Sequence, residues 1–567
     1  MTRAPGAARL AVVKVTWLAL VCLVAVAVAV PLPDRPDWNL NDTDYSTGGS
    51  FCDVNGNGLL DYVVSNGNDM ASDRNAVYSN LGGTYETTAS WRSQDRGMFG
   101  HCYTGDVTGD GRPDLAVVTL GPDTSQTPLV ARLYRNTGYG FELLPGWRAA
   151  DRHSSFDCCL GDVNLNGRLD LAVSAGDAYT GRHDPARVYF NTGGTLDTLP
   201  AWAAVIDTAS DAIRFCDVDN DGDLDLFVGH RRQVSMFRNN NGVLDTVPSW
   251  TVRTGIGWVL RLAFGDFDQD GWPDLAVASN GQLGDPNSIR VYRNNNGVLD
   301  TQPSFVMLTS NQYSSCVAWG DADGDGYPEL AAGGWWEPVV VFKNNAGVLS
   351  TTPAWSWQPT TIWRLVGETV MWADVGNRYI EDATAEFTGD GARRLWSLSR
   401  APVQFIDSVT VDDVAVPIGS WSADPLAAWF SLAESPVPGA DVVCHYRYSS
   451  RLDLAVTNWD RNTGTRNLLF LNTSPTGTSE EEYAPVPARL EARPNPSPGA
   501  VTFALAHARS MPGPLDIYAN DGRLVRRLAP EGNRWYWDGN DARGRAVGAG
   551  IYFACLDRGQ VKVVVTR

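Results

Sequence analysis

The chain has 567 residues, with 65 Asp and Glu against 45 Lys and Arg, a formal net charge of −20. So acidic a surface disfavours nucleic acid as a partner and suits metal ions and an extracytoplasmic setting. The cysteines form no CxxC pair and no Cys/His zinc pattern.

Residues 1–29 read as a secretory signal peptide. Arg3, Arg9 and Lys14 precede an apolar run from Val15 to Val30, and cleavage is expected after Ala27 or Ala29. An uncleaved anchor is the alternative; no later stretch is apolar enough to span a membrane, so no transmembrane helix is expected once the signal is removed. A lone strand signal, Pro36-Asp-Trp38, comes next.

An acidic nine-residue loop of the form D-x-[DNT]-x-[DN]-G-x-x-[DE] then recurs six times. Its oxygen-bearing positions are Asp53, Asn55, Asn57 and Asp61; Asp106, Thr108, Asp110 and Asp114; Asp162, Asn164, Asn166 and Asp170; Asp217, Asp219, Asp221 and Asp225; Asp266, Asp268, Asp270 and Asp274; Asp321, Asp323, Asp325 and Glu329. Alternate residues of a tight loop point inward, so positions 1, 3 and 5 converge oxygens on one hard cation. The glycine at position 6 permits the turn and the last carboxylate closes the cage. A set of Asx-turn hairpins without metal is the plainer alternative. Six copies with every oxygen position filled favour calcium.

The loop starts are spaced by 53, 56, 55, 49 and 55 residues, a period that signals a propeller or solenoid. An aromatic in a P-x-W-like setting lies 15 or 16 residues before each loop, at Trp38, Trp91, Trp147, Trp202, Trp250 and Phe305. Behind each loop come an apolar strand, a V-Y-R-N strand such as Val291-Tyr-Arg-Asn294, and an Asn/Gly turn. Each unit therefore predicts four antiparallel strands. A seventh unit is split: Trp372-Ala-Asp374-Val-Gly376 opens a loop whose second half returns as Arg451-Leu-Asp453-Leu. About 71 residues are inserted between them, at a hairpin tip where insertion does least harm. This loop is expected to lack metal. The last unit has no P-x-W strand of its own, so the orphan at Trp38 is expected to complete it and remove the open sheet edges.

These residues resemble the FG-GAP/VCBS repeat family of calcium-loop propellers, over roughly residues 36 to 476 apart from the insertion. The resemblance implies calcium held between first and second strands on one face, by the loop residues named above, with Thr108 the weaker ligand.

The expected fold is all-β: a seven-bladed β-propeller over 30–377 and 451–476, a small β-sandwich inserted at 378–450, a linker at 477–489, and a C-terminal Ig-like β-sandwich at 490–567. The insertion alternates short strands with Gly, Pro and Asp turns, and its Glu386-Phe-Thr-Gly-Asp-Gly391 segment is similar to compact modules of bacterial and phage surface proteins. The tail, with Trp535-Tyr-Trp537-Asp-Gly539 and Gly548-Ala-Gly-Ile-Tyr-Phe553, resembles the C-terminal sorting domains of type IX-like secretion. That likeness implies export through a secretion machinery and attachment at the cell surface; an ordinary terminal sandwich is the alternative. Cys52, Cys102, Cys158, Cys159, Cys216 and Cys316 all precede acidic loops. Core thiols and inter-blade disulfides both remain open from spacing alone.

The repeat absorbs most carboxylates as metal ligands, which leaves little for catalysis. His153, His183 and His230 are expected as solvated loop histidines on the face away from the metal loops, with a catalytic or metal-binding cluster as the alternative. Asp177, Tyr179, Arg231, Arg232, Trp335, Trp336, Glu337, Trp459 and Asp460 share that face. Trp335, Trp336, Trp459, Tyr179 and Arg231 are the candidate ligand residues, because exposed rings beside polar groups suit sugars and peptides; tryptophan is common throughout the chain, and plain packing is the alternative. Glu368, Glu381 and Asp382 are expected near the insertion on the other side. The expectation is a secreted or cell-surface calcium-binding protein that recognises a glycan or protein ligand and is not an enzyme. A polysaccharide-active enzyme and a purely structural envelope protein are the alternatives.

Overall fold

Apolar and β-branched runs of two to nine residues, separated by glycine and asparagine turns, fold into antiparallel sheets throughout the described residues. The computed structural model describes residues 30–121, 128–177, 181–206, 208–308, 313–359, 365–459, 466–474, 489–493, 497, 499–506, 514–519, 523–529, 534–556 and 559–566. The signal-peptide segment 1–29, Tyr179, Asp460 and nearly all of the 477–489 linker lie outside the described residues. Among the described residues there is no helix, and none therefore long and apolar enough to cross a membrane.

The first repeat forms a sheet from Ser46–Cys52, Asp61–Asn66, Ala76–Tyr78 and Trp91–Arg92, in that order. The next five repeats form four-stranded sheets in the same order. Every acidic loop is the hairpin between a first and a second strand, with Cys52 opposite Asp61, Gly105 opposite Asp114 and Gly265 opposite Asp274. In the split repeat, Gly367–Ala373 pairs with Asp453–Asn458 across the insertion, Ala373 opposite Asp453. Leu468–Phe470 follows, and Trp38–Asn39 from the start of the chain supplies the fourth strand through Trp38 opposite Leu469.

The first strands adjoin one another in sequence, and Ser46–Cys52 touches both Phe99–Gly105 and Gly367–Ala373, so the series closes. A buried asparagine at the end of each third strand staples the cycle. Asn136 Nδ2 donates to Val54 O of the preceding repeat at 3.0 Å, and Asn191, Asn239, Asn294, Asn344 and Asn472 repeat the bond onto Val107, Val163, Val218, Phe267 and Ala322. Asn80 completes the round on Val375 O at 2.8 Å. The P-x-W rings add a second set of staples: the Trp38, Trp91, Trp202 and Trp250 indoles donate to carbonyls in the next repeat's turn. Fully buried carbonyls are costly when unpaired, so these bonds fix which sheet neighbours which. The architecture is β-propeller-like.

The cysteines before the loops, Cys52, Cys102, Cys158, Cys159, Cys216 and Cys316, are buried free thiols. Burial suits them as small apolar fillers.

The insertion forms two sheets. One holds Ile380–Thr388, Asp441–Ser449, Phe405–Val411 and Val414–Ala415; the other holds Leu395–Ser397, Trp429–Leu432 and Trp421–Asp424. Trp396, Phe430, Val442 and Cys444 pack between them. The C-terminal unit is also two sheets, of three and four strands, around Phe503, Ile517, Trp535 and Trp537.

Candidate functional site

In the loops, the position-1 aspartate organises the turn. Asp53 accepts the N–H of Asn57 at 2.9 Å and of Gly58 at 2.7 Å, and Asp106, Asp162, Asp217 and Asp266 repeat the pair. Gly58 adopts φ +80 and its counterparts are similarly left-handed, which is why position 6 is glycine. The closing carboxylate takes an N–H from position 2 and another from the stapling asparagine: Asp61 from Val54 at 3.1 Å and Asn80 at 2.8 Å. Burial pushes these closing acids up, Asp61 to about 7, and Asp225, Asp274 and Glu329 to about 8.

The donor chemistry fits a hard cation. The position-3 oxygens of five loops are buried without a hydrogen-bond partner: Thr108 Oγ1, Asn164 Oδ1, Asp219 Oδ1, Asp268 Oδ1 and Asp323 Oδ1. Asn166 Oδ1 and Asp225 Oδ2 are in the same condition. Carboxylate oxygens of Asp217, Asp219 and Asp221, of Asp266, Asp268 and Asp274, and of Asp321, Asp323 and Asp325 gather within 4.8 Å of one another. Buried oxygens facing one another without donors are the arrangement a bound cation stabilises. These clusters could hold a metal ion.

Three loops also meet a cation from their own third strand. Lys343 Nζ lies 2.7 Å from Asp323, 2.6 Å from Asp325 and 3.0 Å from Glu329. Arg293 lies 3.0 Å from Asp268, and Arg238 pairs with Asp219. The first and third repeats carry Ser79 and Phe190 at that position and have no such group. In the split loop, Arg378 pairs with Asp453, while Asp374 still accepts the N–H of Arg378 and Tyr379. A guanidinium there meets the closing carboxylate, as Lys343 meets Glu329 in the sixth loop.

The opposite face differs from expectation. Trp335 is 6% exposed, packs edge-on against Trp258 and Trp459, and donates its indole N–H to Glu368. It is a core residue and offers no stacking surface. Glu368 is itself buried mid-channel, not beside the insertion, and Glu337 is buried as well. His153 and His230 are enclosed rather than solvated, and burial lowers both, His230 to about 4; His183 is exposed. Trp336 does reach solvent at 37% exposure, with φ +62 and its ring edge-on to Tyr313 at 5.5 Å. Trp459 is half-buried, and Arg231 is held by Asp285 at 2.7 Å and Leu283 O at 3.2 Å.

Two features had no signal in local sequence. The first is a buried charge network across the channel, with one residue from each of five inner strands or their lead-ins. Asp157 meets Arg214 at 2.7 Å, Arg261 at 3.3 Å and His101 at 3.0 Å, and His101 Nε2 lies 3.9 Å from Glu368. Burial alone would raise Asp157, but the two arginines and His101 outweigh it and hold the carboxyl below its usual range. The second is the seat of the inserted unit. Ser431 donates to Asp162 at 2.6 Å, Arg393 lies 3.4 Å from Asp217, Arg394 donates to Leu165 O at 2.6 Å, and Tyr103 donates to Asp424 at 2.7 Å. The insertion thus roofs the metal-loop mouth of the channel and encloses a chamber of about 1250 Å³.

A family model described as FG-GAP-like repeat matches residues 37–117, 162–228, 217–277 and 267–332. No curated protein sequence matches the chain. Among solved structures, an Agrocybe aegerita lectin described by its specific recognition of non-reducing terminal N-acetylglucosamine is similar at 20% identity, over 54% of this chain and 79% of that one, with a TM-score of 0.33. That likeness is too distant to carry a ligand across. The repeat matches and the sheet order agree on a chain that carries FG-GAP-like repeats in a β-propeller-like fold.

Proposed function

We propose that the chain is a seven-bladed, calcium-braced propeller that works in recognition at or beyond the cell surface, binding a glycan or protein ligand without transforming it. The calcium reading rests on the row of buried, unpartnered position-3 oxygens. The binding reading rests on Trp336, an exposed indole held in a left-handed backbone conformation beside Tyr313, on the face away from the metal loops. A fixed, exposed ring matches one thing that sugars and peptides require, an apolar face to stack on. The C-terminal two-sheet unit fits an Ig-like sorting module for export and surface attachment.

The test is a glycan and protein array probed with the full chain, with calcium and with chelator. Trp336→Ala is expected to remove the captured ligand while the thermal transition stays in place. Retained capture in that variant would displace the site from this face. Cleavage of a polysaccharide, lost on Asp177→Asn, would replace recognition with catalysis.

A further inference from the structure

The third acidic loop is enclosed as no other is. Each of the other five leaves at least one residue exposed: Gly56, Asp110, Asp221, Asp270 and Asp325 are examples. The third, 162–170, leaves none, and its first and last carboxylates, Asp162 and Asp170, are fully buried. Asp53, Asp106, Asp217, Asp266 and Asp321, the position-1 aspartates of those five loops, line the chamber, whereas Asp162 does not. The inserted unit closes this loop. Ser431 Oγ donates at 2.6 Å to Asp162 Oδ2, the oxygen that also accepts the N–H of Gly167. Arg394 donates to Leu165 O at 2.6 Å, and Ala433 lies so near that a Cβ on Gly167 would come within 2.6 Å of its backbone. Leu395 and Trp429 join the cluster that holds Val163 and Leu169 of the loop. Elsewhere the unit only grazes: Arg393 lies 3.4 Å from Asp217, yet Asp221 in the same loop stays exposed.

Inside the third loop the oxygens are left to a cation. Asn164 Nδ2 donates to Asp170 at 3.4 Å and Asn166 Nδ2 to Asn191 O at 2.9 Å, so both amide nitrogens are spent. Asn164 Oδ1 and Asn166 Oδ1 are buried with no partner. Phe190 stands where the fourth to sixth repeats bring Arg238, Arg293 and Lys343 onto their loops, so no side-chain cation from that position competes. Two buried carboxylates beside two unpaired amide oxygens are costly without a bound charge. We propose that the inserted unit is a lock on the third-loop cation: calcium held there leaves only when 393–395 and 429–433 lift from the loop, while the loops with exposed residues exchange freely. Escape from an enclosed site waits on local opening, so its rate falls with the fraction of time the cover is lifted. The lock rests on the calcium reading above and is independent of any ligand at Trp336.

The full chain equilibrated with calcium would be mixed rapidly with an excess of a fluorescent BAPTA chelator and release followed in time. One ion per chain is expected to leave roughly a hundred-fold more slowly than the rest. Asn164→Ala combined with Asn166→Ala should remove that slow phase and one ion from the total. Ser431→Ala combined with Arg394→Ala loosens the seat without altering a loop residue, and should speed the slow phase roughly ten-fold with the ion count kept. Replacing 378–450 by a short Asp-Gly loop should merge the slow phase with the fast ones; if that variant does not fold, the seat variant decides. Release of every ion in one fast phase, or a slow phase that the seat variant leaves unchanged, would overturn the lock and leave the calcium reading standing. Release of no ion at all would overturn the calcium reading and the lock with it.

Discussion

Asp211 sits on the first strand of the fourth repeat with its carboxyl enclosed, accepting the Trp258 indole N–H at 2.6 Å. Burial raises it from 3.8 to about 7. The folded chain therefore holds a proton there that the unfolded chain releases near pH 4. Stability from this group is greatest below that pH, falls as pH rises towards 7, and is level beyond. Asp211→Asn keeps an acceptor for Trp258 and removes the ionisation. Its stability gain over wild type should grow between pH 4 and 7, to on the order of 1–3 kcal/mol; denaturant melts showing a constant difference would count against this. Lys343 makes the opposite kind of case. Lys343→Met should lower the melting temperature in chelator, because Glu329 is left buried and unpaired, and enlarge the rise on adding calcium. An unchanged response to calcium would mean the sixth loop holds no metal. At this scale the sequence was uneven. Asp, Asn and Gly at fixed positions announce the loops because a tight turn imposes its own pattern. His101, Asp157, Arg214, Arg261 and Glu368 announce nothing, since each is one polar residue at or beside a different inner strand and only ring closure brings them together. Trp335 misled because it is adjacent to exposed Trp336, but Trp335 ends a strand buried on both faces while Trp336 already belongs to the turn.

At the level of elements, the two halves of the split hairpin already stand in register, Ala373 opposite Asp453. Excising 378–450 and joining the ends through a short Asp-Gly loop should leave a folded ring, with some loss because Leu395 and Trp429 contribute to a cluster shared with the second to fourth repeats. Removing residues 36–41 should cost far more, since it withdraws buried Trp38 and the Leu469 pairing. Circular dichroism melts decide: an intact N-terminal truncation beside an unfolded excision would contradict this ranking. The strands and their hairpins were readable from Pro-x-Trp and V-Y-R-N because those motifs recur in phase. The seat of the insertion was not, because Ser431 on Asp162 and Arg394 on Leu165 are single contacts between units, with no period to betray them.

For the whole molecule, metal bound only to the folded form should raise its stability by mass action. Native mass spectrometry is expected to count five or six calcium ions, with a melting temperature that rises with calcium and falls with chelator; no bound ion and no shift would remove the calcium reading. The strand at Trp38 also imposes an order in time. Its partner Leu469 is made more than four hundred residues later, so a strand made before the whole ring waits for the ring's last repeat to find its place. Until then Ser46–Cys52 lacks its neighbour Gly367–Ala373, and unpaired strand edges wait beside acidic hairpins. A chain arrested before Leu468 should therefore be more open to protease than one extended past Phe470, and a cell that makes this protein carries it as an unclosed arc until Leu468–Phe470 has emerged.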